Sequence, residues 1–362
     1  MLNTHDWQTL TPNLQAELTT HAGFYDGNTY LVTGGAGFIG SHLVRHLLHM
    51  GAFVVVVDDF NPYYDPAVKR ANVAEHAHNP KFTLVEADIC DVVAMRRVFD
   101  AHGAALKQGG IVHLAAWAGV RPSLDNPSLY MQANVTGTHV LAELCREFGV
   151  SRFTFASSSS VYGSVDASIP GSVPFLETQD TTKPVSIYAA TKVMNENMLH
   201  SYSHLFGLQV VCLRFFTVYG AGQRPDLAIH KFTDLIAKGQ PVPQFGDGST
   251  ERDYTYIDDI QQGILAAMRY DATPFEVINL GESHTVTLSK LIQLLEDALG
   301  QKAIIDYQPL QQGDVPITYA NVDKAKKLLG YMPTTLIEDG IPKFVRWYQD
   351  TRGLSSASSV NS

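Results

Sequence analysis

A tyrosine and a lysine four residues apart are the first groups in this sequence that could do acid–base chemistry. Tyr188 and Lys192 bound the stretch YAATK, and on a helix they share one face. A free phenol has a pKa of about 10, so acting as a base at neutral pH requires lowering it by about 3, or about 4 kcal/mol. A neighbouring ammonium group shifts a phenol in that direction. The spacing predicts a tyrosine base assisted by lysine, although a surface pair has the same spacing.

Four consecutive serines follow an apolar run that is typical of a buried strand. The run is Phe153–Ser157, and the serines extend from Ser157 to Ser160, immediately before the tripeptide Val-Tyr-Gly. Strand carboxyl ends in open α/β sheets border the ligand crevice, where hydroxyl groups can bind a sugar. A polar loop after a strand has the same composition. From the residues alone, both interpretations stay open.

A glycine-rich turn follows the first apolar run, Tyr30–Thr33. Gly34, Gly37 and Gly40 have the GxxGxxG spacing, which lets the backbone approach a pyrophosphate and directs a helix N-terminus at it. A second predicted strand ends at Asp58, 18 residues after Gly40, where an acid that binds a ribose is expected. The pattern predicts a dinucleotide-binding βαβ unit, the alternative being such a unit with an incidental acidic strand end.

The carboxylate of Asp58 indicates which dinucleotide binds. It accepts hydrogen bonds from the ribose hydroxyls and repels a 2′-phosphate. The next residues are Asp59 and Phe60, so no arginine stands there to bind that phosphate. We therefore predict NAD rather than NADP as the cofactor. The positive charge of its nicotinamide ring would add to the effect of Lys192 on Tyr188.

Apolar runs alternate with helical stretches through this part of the chain. The predicted strands are Tyr30–Thr33, Phe53–Asp58, Phe82–Glu86, Ile111–Leu114, Phe153–Ser157 and Val210–Phe215. The predicted helices are Phe38–His49, Pro66–His78, Val92–His102, Tyr130–Glu147 and Ser186–Leu205. Such alternation predicts a parallel sheet covered on both faces. The fold class is therefore α/β, a doubly wound, Rossmann-like parallel sheet.

After Phe216 the sequence becomes richer in glycine, proline and turns, which indicates a smaller α/β lobe for the substrate. We predict a dinucleotide-binding domain over residues 29–215 and about 253–280. The C-terminal substrate lobe then comprises residues 216–252 and about 281–350. Residues 1–28 are an N-terminal extension, and residues 351–362 are predicted to be a disordered, serine-rich tail.

Composition excludes several classes of protein. The chain has 362 residues, 45% of them hydrophobic, and a net charge of -10 without a run of lysine and arginine. Nucleic acid and acidic membranes are therefore not expected as partners. The three widely spaced cysteines lack the spacing of metal ligands, and we see neither a membrane-spanning stretch nor a signal peptide. These features predict a cytoplasmic protein without a metal.

Five further segments make the chain resemble the extended short-chain dehydrogenase/reductase family, which contains NAD-dependent epimerases and dehydratases. They are DDFNPYYDP from Asp58, HLAAWAGVR from His113, LRFFTVYG from Leu213, ERDYTYIDD from Glu251 and GDVP from Gly313. Within the family the chain is most similar to UDP-glucuronate 4-epimerases, over about residues 29–350.

The resemblance implies roles for many residues. Tyr188, Lys192 and Ser158 match the catalytic residues, with Ser158 bonded to the substrate 4-hydroxyl. The implied cofactor site comprises Gly34, Gly37, Phe38, Ile39, Gly40, Asp58, Asp88, Ile89, Leu114, Ala115, Ala116, Asn134, Tyr188 and Lys192. The UDP moiety is assigned to Arg224, Arg252 and Asp314, with Phe245 against uracil. Family members form homodimers through two helices, here Tyr130–Glu147 and Ser186–Leu205.

Two positions predict the type of reaction. Related dehydratases and uronate decarboxylases have an acidic residue before Val-Tyr-Gly, where this chain has Ser160. Without that acid, the simplest cycle oxidises C4 and returns the same hydride. UDP-galactose 4-epimerases have asparagine in place of Thr217. We predict that Thr217, Ser159, Ser160 and, more weakly, Arg121 bind a uronate carboxylate, the alternative being that Thr217 merely ends a strand.

The predicted function is therefore the NAD-dependent inversion of C4 in a UDP-hexuronic acid. UDP-glucuronate would become UDP-galacturonate through a transient 4-keto sugar. The alternatives are a 4-epimerase for UDP-glucose or a UDP-N-acetylhexosamine, a uronate decarboxylase, an oxidoreductase that exchanges NAD, and a non-catalytic NAD-binding scaffold.

Overall fold

The computed structural model describes residues 10–309 and 315–352, and at its centre lies a seven-stranded parallel sheet. In chain order the strands are β1 (Thr29–Thr33), β2 (Phe53–Asp58), β3 (Phe82–Glu86), β4 (Gly110–His113), β5 (Arg152–Ser158), β6 (Gln209–Phe215), β7 (Thr217–Tyr219), β8 (Pro241–Phe245), β9 (Glu251–Tyr256), β10 (Phe275–Leu280), β11 (Thr285–Thr287) and β12 (Ile304–Gln308). The main sheet has the order β10-β6-β5-β4-β1-β2-β3. The strand order reverses between β1 and β4, and such a reversal is the usual place for a ligand crevice.

Helices cover both faces of this sheet. They are α1 (Pro12–Thr20), α2 (Ala22–Tyr25), α3 (Phe38–His49), α4 (Pro66–Ala74), α5 (Val92–Gly109), α6 (Pro122–Asp125), α7 (Pro127–Tyr130), α8 (Gly137–Phe148), α9 (Ile187–Phe206), α10 (Ala228–Ala237), α11 (Ile257–Arg269), α12 (Leu288–Leu299), α13 (Asp323–Leu329) and α14 (Ile337–Thr351). Strand β2 shows the two-sided packing, since Val54 and Val56 join one core and Val55 and Val57 the other. The predicted doubly wound α/β fold is confirmed.

Two smaller sheets lie beside the main one. The first has the order β11-β9-β7, and the second pairs β12 with β8 in parallel. We predicted that the dinucleotide-binding domain resumes at about residue 253. In the structure, β9 runs to Tyr256 within the small sheet, and the chain returns through α11, which packs on β5 and β6, and then through β10. The reason is the pairing of β9 with β7, which extends the small sheet up to Tyr256.

The predicted single helix Tyr130–Glu147 is interrupted. Helix α7 ends at Tyr130, a π-helix spans Met131–Thr136, and α8 then begins at Gly137. The π-helix coincides with Asn134, whose side chain bonds both backbone groups of Trp117. Such tertiary contacts fix a wider turn that helix periodicity in the sequence does not show.

The N-terminal extension docks on the body of the protein from Leu10 onward. Leu10, Leu14 and Leu18 are buried, and α1 packs against α11. The backbone N–H of Thr11 donates to Asp258 at 3.0 Å. Of the tail predicted over residues 351–362, Thr351 instead ends α14, and residues 353–362 lie outside the described residues, as do residues 1–9. Within residues 10–309 and 315–352, no helix is both long enough and apolar enough to cross a bilayer.

Candidate active site

A cavity of about 780 Å³ opens at the carboxyl ends of the central strands, where the main sheet meets the smaller sheets. Its walls come from the segments that follow β1, β2, β4 and β5, and from residues between β6 and β9. The cavity therefore lies where the strand order reverses between β1 and β4, which is where the topology predicts a ligand.

The glycine-rich turn after β1 forms one end of the cavity. Gly34 has φ +69°, and a Cβ there would lie 2.8 Å from the backbone nitrogen of Ala115. A Cβ on Gly40 would lie 2.2 Å from the carbonyl oxygen of Gly34. Side chains are thus excluded where the turn packs against the β4 end. Gly37 is the N-cap of α3 and has no side chain to cap it, so the helix N-terminus suits the phosphates of a ligand.

Asp58 ends β2 in the same part of the cavity and is 5% exposed. Its carboxylate accepts hydrogen bonds from the backbone N–H groups of Phe60 and Ala36. The ammonium of Lys69, on α4, lies 3.5 Å from it, also buried. Burial raises the pKa of Asp58, and Lys69 opposes that rise. The role of Lys69 could not be predicted from the sequence, because only the folding of α4 over β2 brings its ammonium to this carboxylate.

Tyr188 lies in the first turn of α9, after the N-cap Ser186, whose hydroxyl accepts from the N–H of Ala189. Burial raises the pKa of Tyr188, while a hydrogen bond with Ser158 and the positive charge of Arg224 oppose the rise. Without ligands the phenol is therefore protonated at neutral pH. Further positive charge, such as a bound nicotinamide ring, is needed before this group can act as a base.

Lys192 lies one turn further along α9 and is fully enclosed. Its ammonium donates to the carbonyl oxygen of Ala156 at 2.6 Å and lies 5.8 Å from the centre of the Tyr188 ring. Burial lowers the pKa of Lys192 to about 7, and the carboxylate of Glu196 acts in the opposite direction. The lysine thus titrates close to neutral pH, so its charge depends on its neighbours.

The serines after β5 form the next part of the cavity wall. Ser158 caps a 3-10 helix, Ser159–Tyr162, and its hydroxyl oxygen accepts from the N–H of Ser160 at 3.2 Å and the hydroxyl of Ser160 at 2.9 Å. With those two donors in place, the Ser158 proton points away from Ser160. It is available to Tyr188 or to a substrate hydroxyl.

A row of four aromatic rings reaches from the loop after β2 to Tyr188. Ring centroids are 5.4 Å apart for Tyr63 and Trp117, 6.3 Å for Trp117 and Tyr130, and 6.3 Å for Tyr130 and Tyr188, all edge to face. Edge-to-face contacts of this kind stabilise ring positions. Sequence analysis did not identify this row, because its members come from four separate segments.

Two cation–π contacts join the parts of the chain on either side of the cavity. The guanidinium of Arg224 lies 5.3 Å above the Tyr63 ring and makes two 2.9 Å hydrogen bonds to Asp226. The guanidinium of Arg121 lies 4.9 Å above the Phe245 ring. Arg224, which the resemblance assigns to the UDP moiety, and Arg121, which we predicted near a carboxylate, both line the cavity.

Most predicted site residues meet in this one cavity. The described lining includes the predicted residues Gly34, Gly37, Phe38, Ile39, Gly40, Asp58, Asp88, Ile89, Leu114, Ala115, Ala116, Arg121, Ser158, Ser159, Ser160, Tyr188, Lys192, Thr217, Arg224 and Arg252. Phe245 does not belong to the described lining, although Arg121, which stacks on it, does. Asp314 lies outside the described residues, and its neighbour Val315 lines the cavity.

Asn134 is buried behind the wall and is not among the lining residues that the structure describes. Its side-chain oxygen accepts from the N–H of Trp117 at 2.8 Å. Its amide nitrogen donates to the carbonyl oxygen of Trp117 at 3.0 Å and to the hydroxyl of Thr191 at 3.1 Å. Asn134 therefore joins the π-helix, the segment after β4 and α9, instead of facing the cavity.

A family model described as GDP-mannose 4,6 dehydratase matches residues 31–344. The chain belongs to this family, within the extended short-chain dehydrogenases/reductases. It is 40% identical to UDP-glucuronate 4-epimerase 4 of Arabidopsis thaliana, covering 96% of this chain and 81% of the plant protein. The predicted family membership is confirmed.

Two solved structures show the same fold. UDP-glucuronic acid 4-epimerase from Bacillus cereus, in complex with UDP-glucuronic acid and NAD, has a TM-score of 0.79 and 32% identity, covering 89% of this chain and 99% of that one. UDP-glucose 4-epimerase from Thermotoga maritima, with UDP-glucose, has a TM-score of 0.80 and 33% identity, covering 90% and 99%. The family thus includes proteins that bind different UDP-sugars.

The pairing of Asp58 with Lys69 yields a prediction on cofactor choice. We expect Asp58→Ala to weaken NAD binding at least tenfold, since a hydrogen bond to a charged group contributes about 1.5–3 kcal/mol. NADP binding should improve relative to NAD, because a repelling charge is removed and the ammonium of Lys69 remains. Affinities of the nucleotide-free protein for both dinucleotides measure this.

The double variant Asp58→Ala/Lys69→Met is the matched control. It should lose NAD affinity without the relative gain for NADP, because no cation remains beside the ribose position. An unchanged ratio of NAD to NADP affinity in Asp58→Ala would show that the ribose site lies elsewhere.

Proposed function

We propose that the protein is an NAD-dependent UDP-sugar 4-epimerase that interconverts UDP-glucuronate and UDP-galacturonate. The observation on which this rests is that Tyr188, Lys192 and Ser158 line one cavity together with Ser159, Ser160 and Thr217. The similarity to UDP-glucuronate 4-epimerases, one of them in complex with UDP-glucuronic acid and NAD, supports the substrate and the cofactor.

The residues of the cavity fit NAD. The side-chain-free turn at Gly34 and Gly40 and the N-terminus of α3 would hold the pyrophosphate, and Asp58 the adenosine ribose. The resemblance assigns Phe38, Ile39, Asp88, Ile89, Leu114, Ala115 and Ala116 to the same site, with Asn134 acting from behind the wall. NAD, when bound, accepts a hydride from C4 of the sugar and returns it.

The proton steps belong to the chain itself. Tyr188 takes the proton of the 4-hydroxyl, directly or through Ser158, whose oxygen is held by two donors from Ser160. The charge of Lys192 favours the ionised phenol. The 4-keto sugar then turns about its link to the pyrophosphate and presents its other face. Tyr188 returns the proton to the oxygen, which completes the inversion at C4.

The residues that would bind UDP are different from those that act on C4 of the sugar. Arg224 and Arg252 provide positive charge in the cavity, and Arg224 would exchange its bonds to Asp226 for the substrate's pyrophosphate. The resemblance adds Asp314, and it adds Phe245, whose ring uracil would share with Arg121. Binding energy far from C4 supports catalysis while the sugar stays free to turn.

The preference for a uronate rests on hydroxyl donors. Ser159, Ser160, Thr217 and Arg121 line the same cavity as Ser158. Hydrogen bonds from such groups to a carboxylate contribute about 1.5–3 kcal/mol each. Ser160 stands where related decarboxylases have an acid, so chemistry at C5 lacks its general acid or base.

A homodimer and a cytoplasmic location complete the proposal. Helix α9 exposes three large apolar side chains, Met194, Leu205 and Phe206, and it packs beside α8. Exposed apolar groups on a helix favour association with a second copy. Light scattering on the purified protein tests this state.

The proposed cytoplasmic location is supported by the cysteines. Cys90, Cys145 and Cys212 are free thiols, which are typical of proteins in a reducing compartment.

The proposed function is tested by incubation with a panel of UDP-sugars without added NAD, followed by separation of the products. UDP-glucuronate should give UDP-galacturonate without accumulation of NADH. Conversion of UDP-glucose with no conversion of UDP-glucuronate would reject the uronate assignment, and a steady release of NADH would indicate a net oxidoreductase.

We expect Tyr188→Phe to lower turnover by about 100-fold or more, because the variant loses the proton-transferring oxygen. UDP binding should remain, since the arginines that would bind UDP are unchanged. Initial rates and UDP titrations measure the two effects. The control Tyr307→Phe removes an exposed phenol oxygen on β12 and should behave as the unmodified protein. Near-normal turnover of Tyr188→Phe would exclude the phenol from the mechanism.

Oxidation of a uronate at C4 creates a β-keto acid, which leads to a prediction for Thr217. If the C5–carboxylate bond stands perpendicular to the carbonyl, it breaks, CO₂ leaves, and its electron pair forms an enolate that is then protonated. A hydrogen bond from Thr217 would hold the carboxylate away from that alignment. We expect Thr217→Ala to slow epimerisation and to raise the released fraction of 4-keto pentose about tenfold, since about 1.4 kcal/mol is a factor of ten.

The released 4-keto pentose, CO₂ and NADH are measured together for Thr217→Ala. Thr217→Ser is the matched control, because it keeps the hydroxyl and should retain the normal product ratio. Normal epimerisation by Thr217→Ala without extra CO₂ or NADH would show that Thr217 only ends a strand.

A further inference from the structure

A buried ion pair lies one helical turn below the catalytic side chains. Glu196 on α9 is 6% exposed and Arg214 on β6 is 4% exposed. The guanidinium donates to Oε1 at 2.9 Å and to Oε2 at 2.7 Å, so the contact is bidentate. Replacing buried ion pairs with apolar residues is often neutral for stability. The presence of this pair therefore calls for a role besides stability.

Glu196 and Lys192 tie α9 to consecutive residues of β5. Ser157 donates its hydroxyl proton to Oε1 of Glu196 at 2.5 Å, and Lys192 donates to the carbonyl oxygen of Ala156 at 2.6 Å. The next residue of β5 is Ser158, and Tyr188 lies one turn before Lys192 on α9; both side chains line the cavity. Two hydrogen bonds between one helix face and one strand end thus set where Tyr188 lies relative to Ser158.

Arg214 anchors this arrangement from the other side. Its guanidinium lies 4.8 Å above the ring of Tyr162, which ends the 3-10 helix that carries Ser159 and Ser160. It also donates to the carbonyl oxygen of Glu177 at 3.4 Å. The pair therefore contacts the catalytic helix, the strand end and the serine turn at once.

The charges around Lys192 make Glu196 electrostatically important. On its own helix, α9, Lys192 faces Tyr188 and Glu196. From β6 it is faced by Cys212 and, beyond Glu196, by Arg214. From β4 it is faced by His113. Burial keeps the Cys212 thiol and His113 neutral, since it raises the pKa of the thiol and lowers the pKa of His113 to about 3. On β5 the contacts are the Phe155 ring and a carbonyl oxygen. The carboxylate of Glu196 is thus the negative charge that favours the ammonium.

We propose that Glu196 is a positioning residue for the reaction, whose carboxylate, held by Arg214 and Ser157, sets α9 against β5 and keeps Lys192 cationic. The inference rests on the proposed function, because it assigns Glu196 a part in the work of Lys192 and Tyr188. Glu196 does not belong to the described cavity lining, but it acts on Lys192 and Tyr188, which do.

The direction of the effect follows from the charges. Without the Glu196 carboxylate, the pKa of Lys192 falls below its value of about 7, so the ammonium loses its proton at a lower pH. A neutral Lys192 no longer favours the phenolate, so the pKa of Tyr188 rises. Activity that requires the cation is then lost at a lower pH.

The test uses the full-length protein with NAD bound and compares Glu196→Gln with the unmodified chain. Glutamine keeps the size and an oxygen acceptor for Ser157 but removes the charge. We expect turnover at pH 8 to fall about tenfold, with KM nearly unchanged, and the alkaline limb of the turnover–pH profile to move down by about one pH unit. The near-ultraviolet absorbance difference against Tyr188→Phe reports ionisation of Tyr188 without substrate, and it should show a higher pKa.

Glu196→Gln leaves Arg214 buried without its carboxylate, which destabilises the fold. The double variant Glu196→Gln/Arg214→Met removes both charges, and its thermal melting should recover toward that of the unmodified protein. If the charge of Glu196 acts on Lys192, the double variant keeps a smaller shift of the Tyr188 titration in the same direction. The shift is smaller because the charge of Arg214, which opposes the ammonium from beyond Glu196, is removed as well. Recovery of the original titration in the double variant would overturn the proposal, as would an unshifted titration in Glu196→Gln.

The matched control is Glu86→Gln, which removes one carboxylate from the exposed two-bond pair Arg70–Glu86 on α4 and β3. Its titration and rate should match those of the unmodified protein. Because the Tyr188 titration needs no UDP-sugar, it separates the two proposals. A shifted titration together with no turnover of UDP-glucuronate by the unmodified protein would reject the proposed function while supporting the role of Glu196.

Discussion

The packing of α9 against the carboxyl end of β5 is the constraint on which the candidate site depends. The ammonium of Lys192 bonds the carbonyl oxygen of Ala156, and Tyr188 lines the same cavity as Ser158, which lies two residues later on the same strand. A shift of the helix by a fraction of a turn would separate both pairs, since hydrogen bonds weaken steeply with distance and angle. The Glu196–Arg214 pair and the Asn134 amide brace the two sides of this junction.

Burial by itself makes the same groups poor acid–base catalysts. Desolvation raises the pKa of Tyr188 and lowers that of Lys192 to about 7, so the protein groups alone favour a neutral phenol and a weakly held ammonium proton. A cationic cofactor ring beside Tyr188 would reverse the first effect. The chemistry is thereby coupled to cofactor binding, and a tightly retained NAD that is regenerated in each cycle satisfies that coupling.

Local features could be predicted from the sequence, and distant contacts could not. The strands β1 and β2, the turn at Gly34, the position of Asp58 and the Tyr188–Lys192 spacing depend on neighbouring residues and chain periodicity. Lys69, the aromatic row through Trp117 and the stacking of Arg121 on Phe245 each need two segments to meet, which no single stretch encodes. The π-helix at Met131–Thr136 shows the same limit, because the contacts of Asn134 with Trp117 and Thr191 override ordinary helix periodicity there.

The central claim is that one hydride leaves C4 and returns to C4 within the same enclosed site. UDP-glucuronate with deuterium at C4, incubated in ordinary water without added NAD and analysed by mass spectrometry and proton NMR, tests it most directly. We expect UDP-galacturonate that retains the deuterium at C4, with no label in the solvent. Loss of the label to water, or its release with a reduced dinucleotide, would contradict a cycle in which one hydride leaves C4 and returns to it.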